Sequence, residues 1–123
     1  MNFRSRPLLD LFYELPCCFN IPGVCDGRLV GSVPCHSNES LHGKGKSIKA
    51  HDCFVAPGCD PCHYWYDQGQ ESREDRQAAF ARAFVKGQVL LWQRGLLRVA
   101  RAEEIAAAPP APLRKIVPHP GHL

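Results

Sequence analysis

The sequence predicts a small α+β domain, and three features of the 123-residue chain indicate it. Short extended segments, rich in glycine and proline, fill residues 17–67. One long amphipathic helix is predicted over residues 71–94. All seven cysteines lie in the first of these two regions. Because so short a chain buries only a modest core, this concentration of thiols predicts a metal staple.

The composition is ordinary for a soluble globular protein, with 45% hydrophobic and 22% charged residues. No run of eighteen apolar residues occurs, which excludes a membrane-spanning helix and predicts no membrane partner. The apolar start of the chain is broken by Asp10 and Glu14 and lacks a small-residue cleavage site. We therefore expect no signal peptide and a cytoplasmic location. The net charge of +3 is compatible with nucleic-acid binding without being diagnostic of it.

Three parts are predicted along the chain. Residues 1–16 form an amphipathic lead-in, either a short helix or an arm against the body. Residues 17–100 form the domain. Residues 101–123 hold five prolines among the last fifteen positions, which predicts a flexible, partly extended tail.

The helix over residues 71–94 has recognisable start and stop signals. Ser72 is a suitable N-cap with Asp75 three residues later, and Gly95 is the expected stop. Leu96, Leu97 and Val99 could add a short closing strand. The predicted apolar stripe consists of Phe80, Phe84, Gln88 and Leu91, with Val85, Val89 and Trp92 beside it.

Two cysteine pairs predict a structural zinc site. Cys59 and Cys62 form a C-x-x-C pair, and Cys17 and Cys25 flank a turn made by residues 21–24. Two such pairs can converge into a tetrahedral four-thiolate zinc site. Gly23 and Gly58 are expected to curl the backbone before Cys25 and Cys59, so that peptide N–H groups reach the sulfurs.

Other cysteines leave alternatives open. Cys18 competes with Cys17 for one ligand position, while Cys35 and Cys53 are expected to be small buried hydrophobic residues. The pairs could instead be buried structural thiols or a redox C-x-x-C. The redox reading is the weaker one, because no strand–helix alternation surrounds the motif.

A second set of residues suggests chemistry beside the zinc pair. If a helix starts near Asp60, then His63 and Asp67 lie on one face, which is a plausible catalytic metal site. An extended segment over residues 30–36 delivers His36 at its end. Between these lies a glycine-spaced basic loop suited to phosphates, with Lys44, Lys46 and Lys49. The aromatic residues Tyr64, Trp65 and Tyr66 are expected to pack in the core and around the zinc site.

This order of motifs resembles the zinc-containing HNH (His-Me finger) endonucleases. It is most similar to a family of small predicted nucleases encoded by lambdoid phages and prophages. The similarity covers roughly residues 17–99 and leaves the tail outside. The matching stretches are residues 17–27, Cys35-His36, Gly43-Lys44-Gly45, Lys49-Ala50-His51-Asp52 and residues 59–67.

The resemblance implies a ββα element that holds one divalent cation. It makes His36 the general base, and His63 and Asp67 the ligands of a catalytic Mg²⁺, Mn²⁺ or Zn²⁺. The implied reaction is hydrolysis of DNA phosphodiester bonds in phage DNA metabolism, in the cytoplasm of a bacterial host. The implied partners are DNA and phage replication or recombination proteins.

Two positions depart from the family pattern. Cys35 occupies the place of an aspartate or histidine that usually binds the cation before the base. The asparagine that orients the base has no direct counterpart, and Asp52 is the preferred substitute because Asn38 lies too close to His36. The alternatives are a zinc-binding module that binds DNA or protein without catalysis, and a structural zinc protein whose long helix pairs with a partner.

Overall fold

The computed structural model describes residues 1–107, so most of the predicted tail lies outside the described residues. None of the described helices is both long and apolar enough to cross a membrane. The elements in chain order are α1 (Arg6–Asp10), a 3-10 turn (Leu11–Glu14), β1 (Val33–His36), a second 3-10 turn (Ser40–His42), β2 (Val55–Gly58), α2 (Asp60–Gln68), α3 (Arg73–Gln93) and α4 (Ala102–Ala107).

The sheet consists of two short antiparallel strands. Val33 of β1 lies opposite Gly58 of β2, and His36 lies opposite Val55. Helix α2 begins two residues after β2 ends, with Cys59 as its N-cap. The prediction of an α+β fold is confirmed, and β1, β2 and α2 follow one another as two strands and a helix.

The lead-in is part of the body of the domain. Ser5 caps α1, and the chain then passes through the first 3-10 turn. Phe12 and Leu15 are fully buried and form a hydrophobic cluster with Val55 of β2 and Leu91 of α3. These contacts fix the N-terminal residues close to the end of β1 and the loop before β2.

Helix α3 begins and ends as the sequence predicts. The Ser72 hydroxyl accepts a hydrogen bond from the Asp75 amide at 3.0 Å, and Gly95 adopts a φ of +70° just after the last turn. The predicted closing strand is wrong. The amides of Leu96 and Leu97 both donate to the carbonyl of Leu91, so this segment folds back onto the helix end.

The predicted stripe of α3 is confirmed in part: Phe80 and Leu91 are buried and Phe84 packs against the core, but the residues predicted beside it are exposed. Val85, Val89 and Trp92 are 60%, 47% and 51% exposed. Gly87 is buried instead, since the helix packs here against Pro57 of β2. The contact requires glycine, because a Cβ at this position would lie 2.5 Å from the Pro57 ring. The buried face of the helix therefore consists of three small residues and two large ones. These are Ala79, Ala83 and Gly87, with Phe80 and Leu91.

The start of the predicted tail is helical, which corrects the prediction for residues 101–107. Glu103 and Glu104 occupy the first turn of α4, where acidic side chains favour the helix dipole. Glu104 also accepts hydrogen bonds from Arg98 at 2.8 Å and from Arg101 at 2.9 Å. The proline-rich stretch that motivated the prediction lies beyond residue 107, outside the described residues.

Candidate functional site

Four cysteines converge at the start of α2. The sulfur atoms of Cys17, Cys25, Cys59 and Cys62 all lie within 4.8 Å of one another, and those of Cys25 and Cys59 are 3.9 Å apart. Zinc–sulfur bonds of about 2.3 Å in a tetrahedron place the sulfurs roughly 3.8 Å apart. The predicted convergence is confirmed, and this cluster could hold a metal ion such as zinc.

Local backbone geometry explains how the first pair is formed. Gly23 has a φ of +74°, and the amides of Val24 and Cys25 both donate to the Ile21 carbonyl, which closes a tight turn. The amide of Gly27 then donates to the Cys25 sulfur at 3.3 Å. Such N–H groups stabilise a thiolate ligand.

The second pair depends on the helix and not on a glycine turn. Cys59 caps α2, and its sulfur accepts a hydrogen bond from the Cys62 amide at 3.5 Å. Gly58 lies within β2, so the prediction that it curls the backbone is wrong. Glycine is needed there because a Cβ would lie 2.8 Å from the Cys35 sulfur and 2.9 Å from the Phe19 ring.

The remaining cysteines lie outside the cluster. Cys17 takes the position for which Cys18 competed, and burial raises the pKa of the Cys18 thiol to about 11. Cys35 is buried as predicted, and desolvation raises its pKa far above the ordinary value. The prediction that Cys53 is buried is wrong. It is exposed at the tip of a turn whose neighbour, Asp52, points inward.

The end of β1 brings His36 against a buried carboxylate. The Nε2 atom of His36 lies 2.8 Å from Oδ1 of Asp52, which is only 3% exposed. Burial by itself would raise the pKa of Asp52, but hydrogen bonds from His36 and the Ser5 amide and the charge of Arg4 outweigh it and lower that pKa. A carboxylate only accepts hydrogen bonds, so Nε2 carries the proton and Nδ1 of the neutral ring keeps its lone pair.

Helix α2 pairs the second histidine with a carboxylate. His63 Nε2 lies 3.0 Å from Asp67 Oδ2, and the side-chain amide of Asn38 donates to the other Asp67 oxygen at 3.3 Å. The hydrogen bond with Asp67 raises the pKa of His63 above its ordinary value. Burial opposes ionisation of Asp67, but its contacts with His63 outweigh burial and lower its pKa.

Both pairs contribute to one open cleft of about 560 Å³. His36, His63 and Asp67 line it together with Lys44 and Lys49. Lys46 is exposed and is not among the residues that line the cleft. Arg6 of α1 also lines the cleft; sequence reasoning missed it because it belongs to the lead-in, outside the stretch that resembles the nuclease family.

A contact between Ser37 and His42 has a structural role. The Ser37 hydroxyl lies 2.6 Å from Nδ1 of His42, and the imidazole stacks on Phe54 with ring centroids 4.4 Å apart. Ser37 is completely buried, so its oxygen cannot reach a substrate. This contact supports the loop before Lys44 and does not form a serine hydrolase site.

Two aromatic residues of α2, Tyr64 and Tyr66, lie in different environments. Tyr66 is buried as predicted, and its ring stacks on that of Phe80 with the centroids 5.3 Å apart. It is therefore not available to stack on a nucleic-acid base. Tyr64 is 68% exposed, so the prediction that it packs in the core is wrong. The helical spacing of the two residues turns them to different sides.

Comparisons with known proteins support the fold. No family model matches the chain, and no curated protein matches it. A solved structure of an Escherichia coli K-12 protein attributed to a bacteriophage is similar, with a TM-score of 0.54 and 20% sequence identity. The similarity covers 71% of this chain and 98% of that chain. At this identity it shows a shared fold and nothing about activity.

Proposed function

We propose that this protein is a metal-dependent DNA endonuclease of the HNH type. The observation that carries the proposal is the placement of two imidazole–carboxylate pairs along one basic cleft. In the His36–Asp52 pair the imidazole is the proposed proton acceptor. In the His63–Asp67 pair the two side chains are suited to a cation.

His36 is the proposed general base. Its Nδ1 takes a proton from water, the water oxygen attacks the phosphorus, and the bond from phosphorus to the 3′ oxygen breaks. The products are a 5′ phosphate and a 3′ oxygen that takes its proton from solvent. Asp52 holds the ring and stabilises the imidazolium that forms. A histidine suits this role because its ordinary pKa lies close to neutral pH.

His63 and Asp67 are the proposed ligands of the catalytic cation. An imidazole nitrogen and a carboxylate oxygen suit Mg²⁺, Mn²⁺ or Zn²⁺, and water and phosphate oxygens can complete the coordination. Such a cation, when bound, would supply charge stabilisation for the phosphate and the leaving oxygen. For these two residues to bind it, His63 must give up the proton that it shares with Asp67.

Basic residues around the cleft favour a polyanionic substrate. Lys44, Lys49 and Arg6 line it from two separate parts of the chain. Contacts with phosphate supply affinity that does not depend on base sequence. This distribution of charge supports DNA as the substrate.

The cysteine cluster is proposed to bind a structural zinc ion. It would tie the loop of Cys17 and Cys25 to the first turn of α2, the turn that precedes His63. Zinc therefore serves the catalytic site indirectly, by fixing the helix that presents its ligands.

A role in phage DNA metabolism is part of the proposal. It is supported by the motifs that resemble nucleases of lambdoid phages and by the similar fold of the Escherichia coli protein attributed to a bacteriophage. The protein would then act in the cytoplasm of a bacterial host, beside phage replication or recombination proteins.

Two observations favour a non-catalytic alternative. Within residues 1–107, the four cysteines are the only group of three or more candidate metal ligands that come together. Cys35, at the position of a usual ligand, is buried with its sulfur 3.6 Å from the Val33 carbonyl. A zinc-stapled module that binds DNA or protein without cutting would have this arrangement too.

Cleavage of a supercoiled plasmid distinguishes the two functions. The intact chain is tested with Mg²⁺, Mn²⁺, Ni²⁺ or Zn²⁺ beside His36→Ala. A matched variant, His119→Ala, removes a histidine outside the described residues. We expect nicking by the intact chain and by His119→Ala, and its loss in His36→Ala. If the intact chain cuts nothing with any of these ions, the binding module replaces the nuclease.

A further inference from the structure

The N-terminal residues 2–5, here called the strap, lie along the loop that precedes β2. The side-chain amide of Asn2 donates to the Gly43 carbonyl at 2.7 Å and to the Lys49 carbonyl at 2.8 Å. Gly43 has a φ of +93°, and a Cβ there would lie 3.0 Å from the Asn2 amide nitrogen. Glycine at this position therefore lets the loop and the strap come together.

The backbone of the strap pairs with the residues around Asp52. The Asp52 amide donates to the Phe3 carbonyl at 3.0 Å, and the Phe3 amide donates to Nδ1 of His51 at 2.9 Å. These contacts join parts of the chain that lie almost fifty residues apart. They place the next residue of the strap, Arg4, directly against the Asp52 carboxylate.

Arg4 and Ser5 hold both oxygens of that carboxylate. Arg4 donates to Oδ1 of Asp52 at 3.1 Å, and the Ser5 amide donates to Oδ2 at 2.7 Å. The guanidinium is itself anchored, because it also donates to the carbonyls of Ala50 and Lys49 at 2.5 and 2.8 Å. Oδ1 is the same oxygen that contacts His36, so Arg4 and the imidazole share one acceptor.

Arg4 is absent from the residues that line the cleft, so its effect on the site passes through Asp52. We propose that Arg4 is a positioning residue that sets the orientation and tautomer of His36 by fixing the Asp52 carboxylate. This inference rests on the proposed nuclease function only for its catalytic consequence. The strap lies outside residues 17–99, the stretch whose motifs resemble known nucleases.

The physical basis is the geometry of a shared acceptor. A carboxylate held by fixed donors offers its lone pairs in one direction, and this direction selects the ring nitrogen that carries the proton. Without Arg4, the Asp52 carboxylate keeps its hydrogen bond with the Ser5 amide, but it can rotate about its side-chain bonds. The His36 ring then loses its preference for the Nε2–H tautomer, and the fraction with a free Nδ1 falls.

Nuclear magnetic resonance tests the inference without requiring cleavage. Long-range ¹H–¹⁵N spectra at about pH 8.5, two units above the ordinary imidazole pKa, report which nitrogen of His36 carries the proton. In the intact chain we expect the Nε2–H form. In Arg4→Gln we expect a mixture with Nδ1–H, and in Arg4→Lys a smaller change, because lysine keeps the charge without the planar fork. Arg82→Gln, on the exposed side of α3, is the matched control and should leave the tautomer unchanged.

Steady-state cleavage gives a second measurement. We expect Arg4→Gln to lower kcat by about 10- to 100-fold, with little change in KM, because the substrate contacts are intact. An unchanged His36 tautomer in Arg4→Gln overturns the inference, even if cleavage falls. If Arg4→Gln does not fold, the same criterion applies to Arg4→Lys. A changed tautomer in a chain that never cuts DNA supports positioning by Arg4 and refutes the nuclease function alone.

Discussion

The cysteine cluster and the cleft differ in the number of candidate metal ligands that the chain supplies. In the cluster, four sulfurs from two segments converge at the start of α2. In the cleft, each imidazole is paired with a carboxylate, and only His63 and Asp67 are proposed to bind a cation. A site with four protein ligands can contribute folding energy, whereas a site with two leaves positions for water and substrate. This difference is why we propose a structural metal for the cluster and a catalytic cation for the cleft.

Loss of zinc should have the largest effect. The purified chain should carry close to one tightly bound zinc, and removing it with a strong chelator should unfold residues 17–67. Structural zinc contributes on the order of 10 kcal/mol to folding in small domains. Cys59→Ser should have the same consequence, while Cys53→Ser, at an exposed thiol, should not. Metal analysis and circular dichroism measure both. If the chain is prepared without chelators and is folded but free of zinc, the cysteine cluster is not a structural zinc site.

Removal of the proposed base should have the next largest effect. His36→Ala should lower the rate of plasmid cleavage by roughly two to four orders of magnitude, the usual contribution of a general base. Because His36 is not a proposed ligand, calorimetric titration should show unchanged binding of the divalent cation. Loss of cation binding in this variant would place His36 among the ligands.

His63→Ala should fail in a different way. It removes a proposed direct ligand, so cation affinity should fall by at least the roughly 10- to 100-fold that loss of a residue orienting a ligand costs, and excess metal should partly restore cleavage. Asp67→Asn should resemble it more mildly. If His36→Ala and His63→Ala respond identically to added metal, the division of roles within the cleft is wrong.

The buried carboxylate should contribute a moderate amount of stability that depends on pH. The folded-state pKa of Asp52 is lowered, so its contribution is present above the unfolded-state pKa of about 3.9 and is lost as the pH falls through the folded-state value. Asp52→Asn should cost about 1–3 kcal/mol at pH 7, since hydrogen bonds to a buried charge are lost. Urea titrations at several pH values should show this difference shrinking below about pH 4. A constant difference would mean that Asp52 is not ionised in the folded chain.

The lysines should have the smallest effect. Lys44 and Lys49 line the cleft whereas Lys46 does not, so the three residues of the predicted loop should not be equivalent. Each lost phosphate contact should reduce the slope of log affinity against log salt by about one. Lys44→Ala and Lys49→Ala should each flatten that slope, and Lys46→Ala is the matched control. If all three variants show equal slopes, DNA does not bind at this cleft and another surface must be tested.

Features set by neighbouring residues were predicted well from the sequence. The start of α3 follows from Ser72 and Asp75, and the C-x-x-C pair follows from a helix that begins beside Cys59. Both depend on hydrogen bonds that close within one turn of helix. The pairing of His63 with Asp67 has the same origin, because a spacing of four residues fixes it.

Features set by distant contacts were missed or only partly predicted. The buried face of α3 depends on the contact of Gly87 with Pro57, whereas helical periodicity had placed Val85 and Val89 beside the buried stripe. Whether Asp52 or Asn38 orients His36 depended on how the loop before β2 returns to β1. No local pattern could have indicated Arg4, because its role depends on a contact 48 residues away.

By itself, the sequence predicted the α+β class, the two cysteine pairs and the long helix, and it singled out His36 and His63 as candidate site residues. The tertiary structure decided that Cys17 and not Cys18 joins the cluster, that Cys53 faces outward, and that Arg4 secures Asp52. The physical reason is the range of the interactions. Caps and helix faces are fixed by hydrogen bonds over three or four residues, whereas a side chain's neighbours in the core and in the cleft are fixed only when segments far apart in the chain pack together.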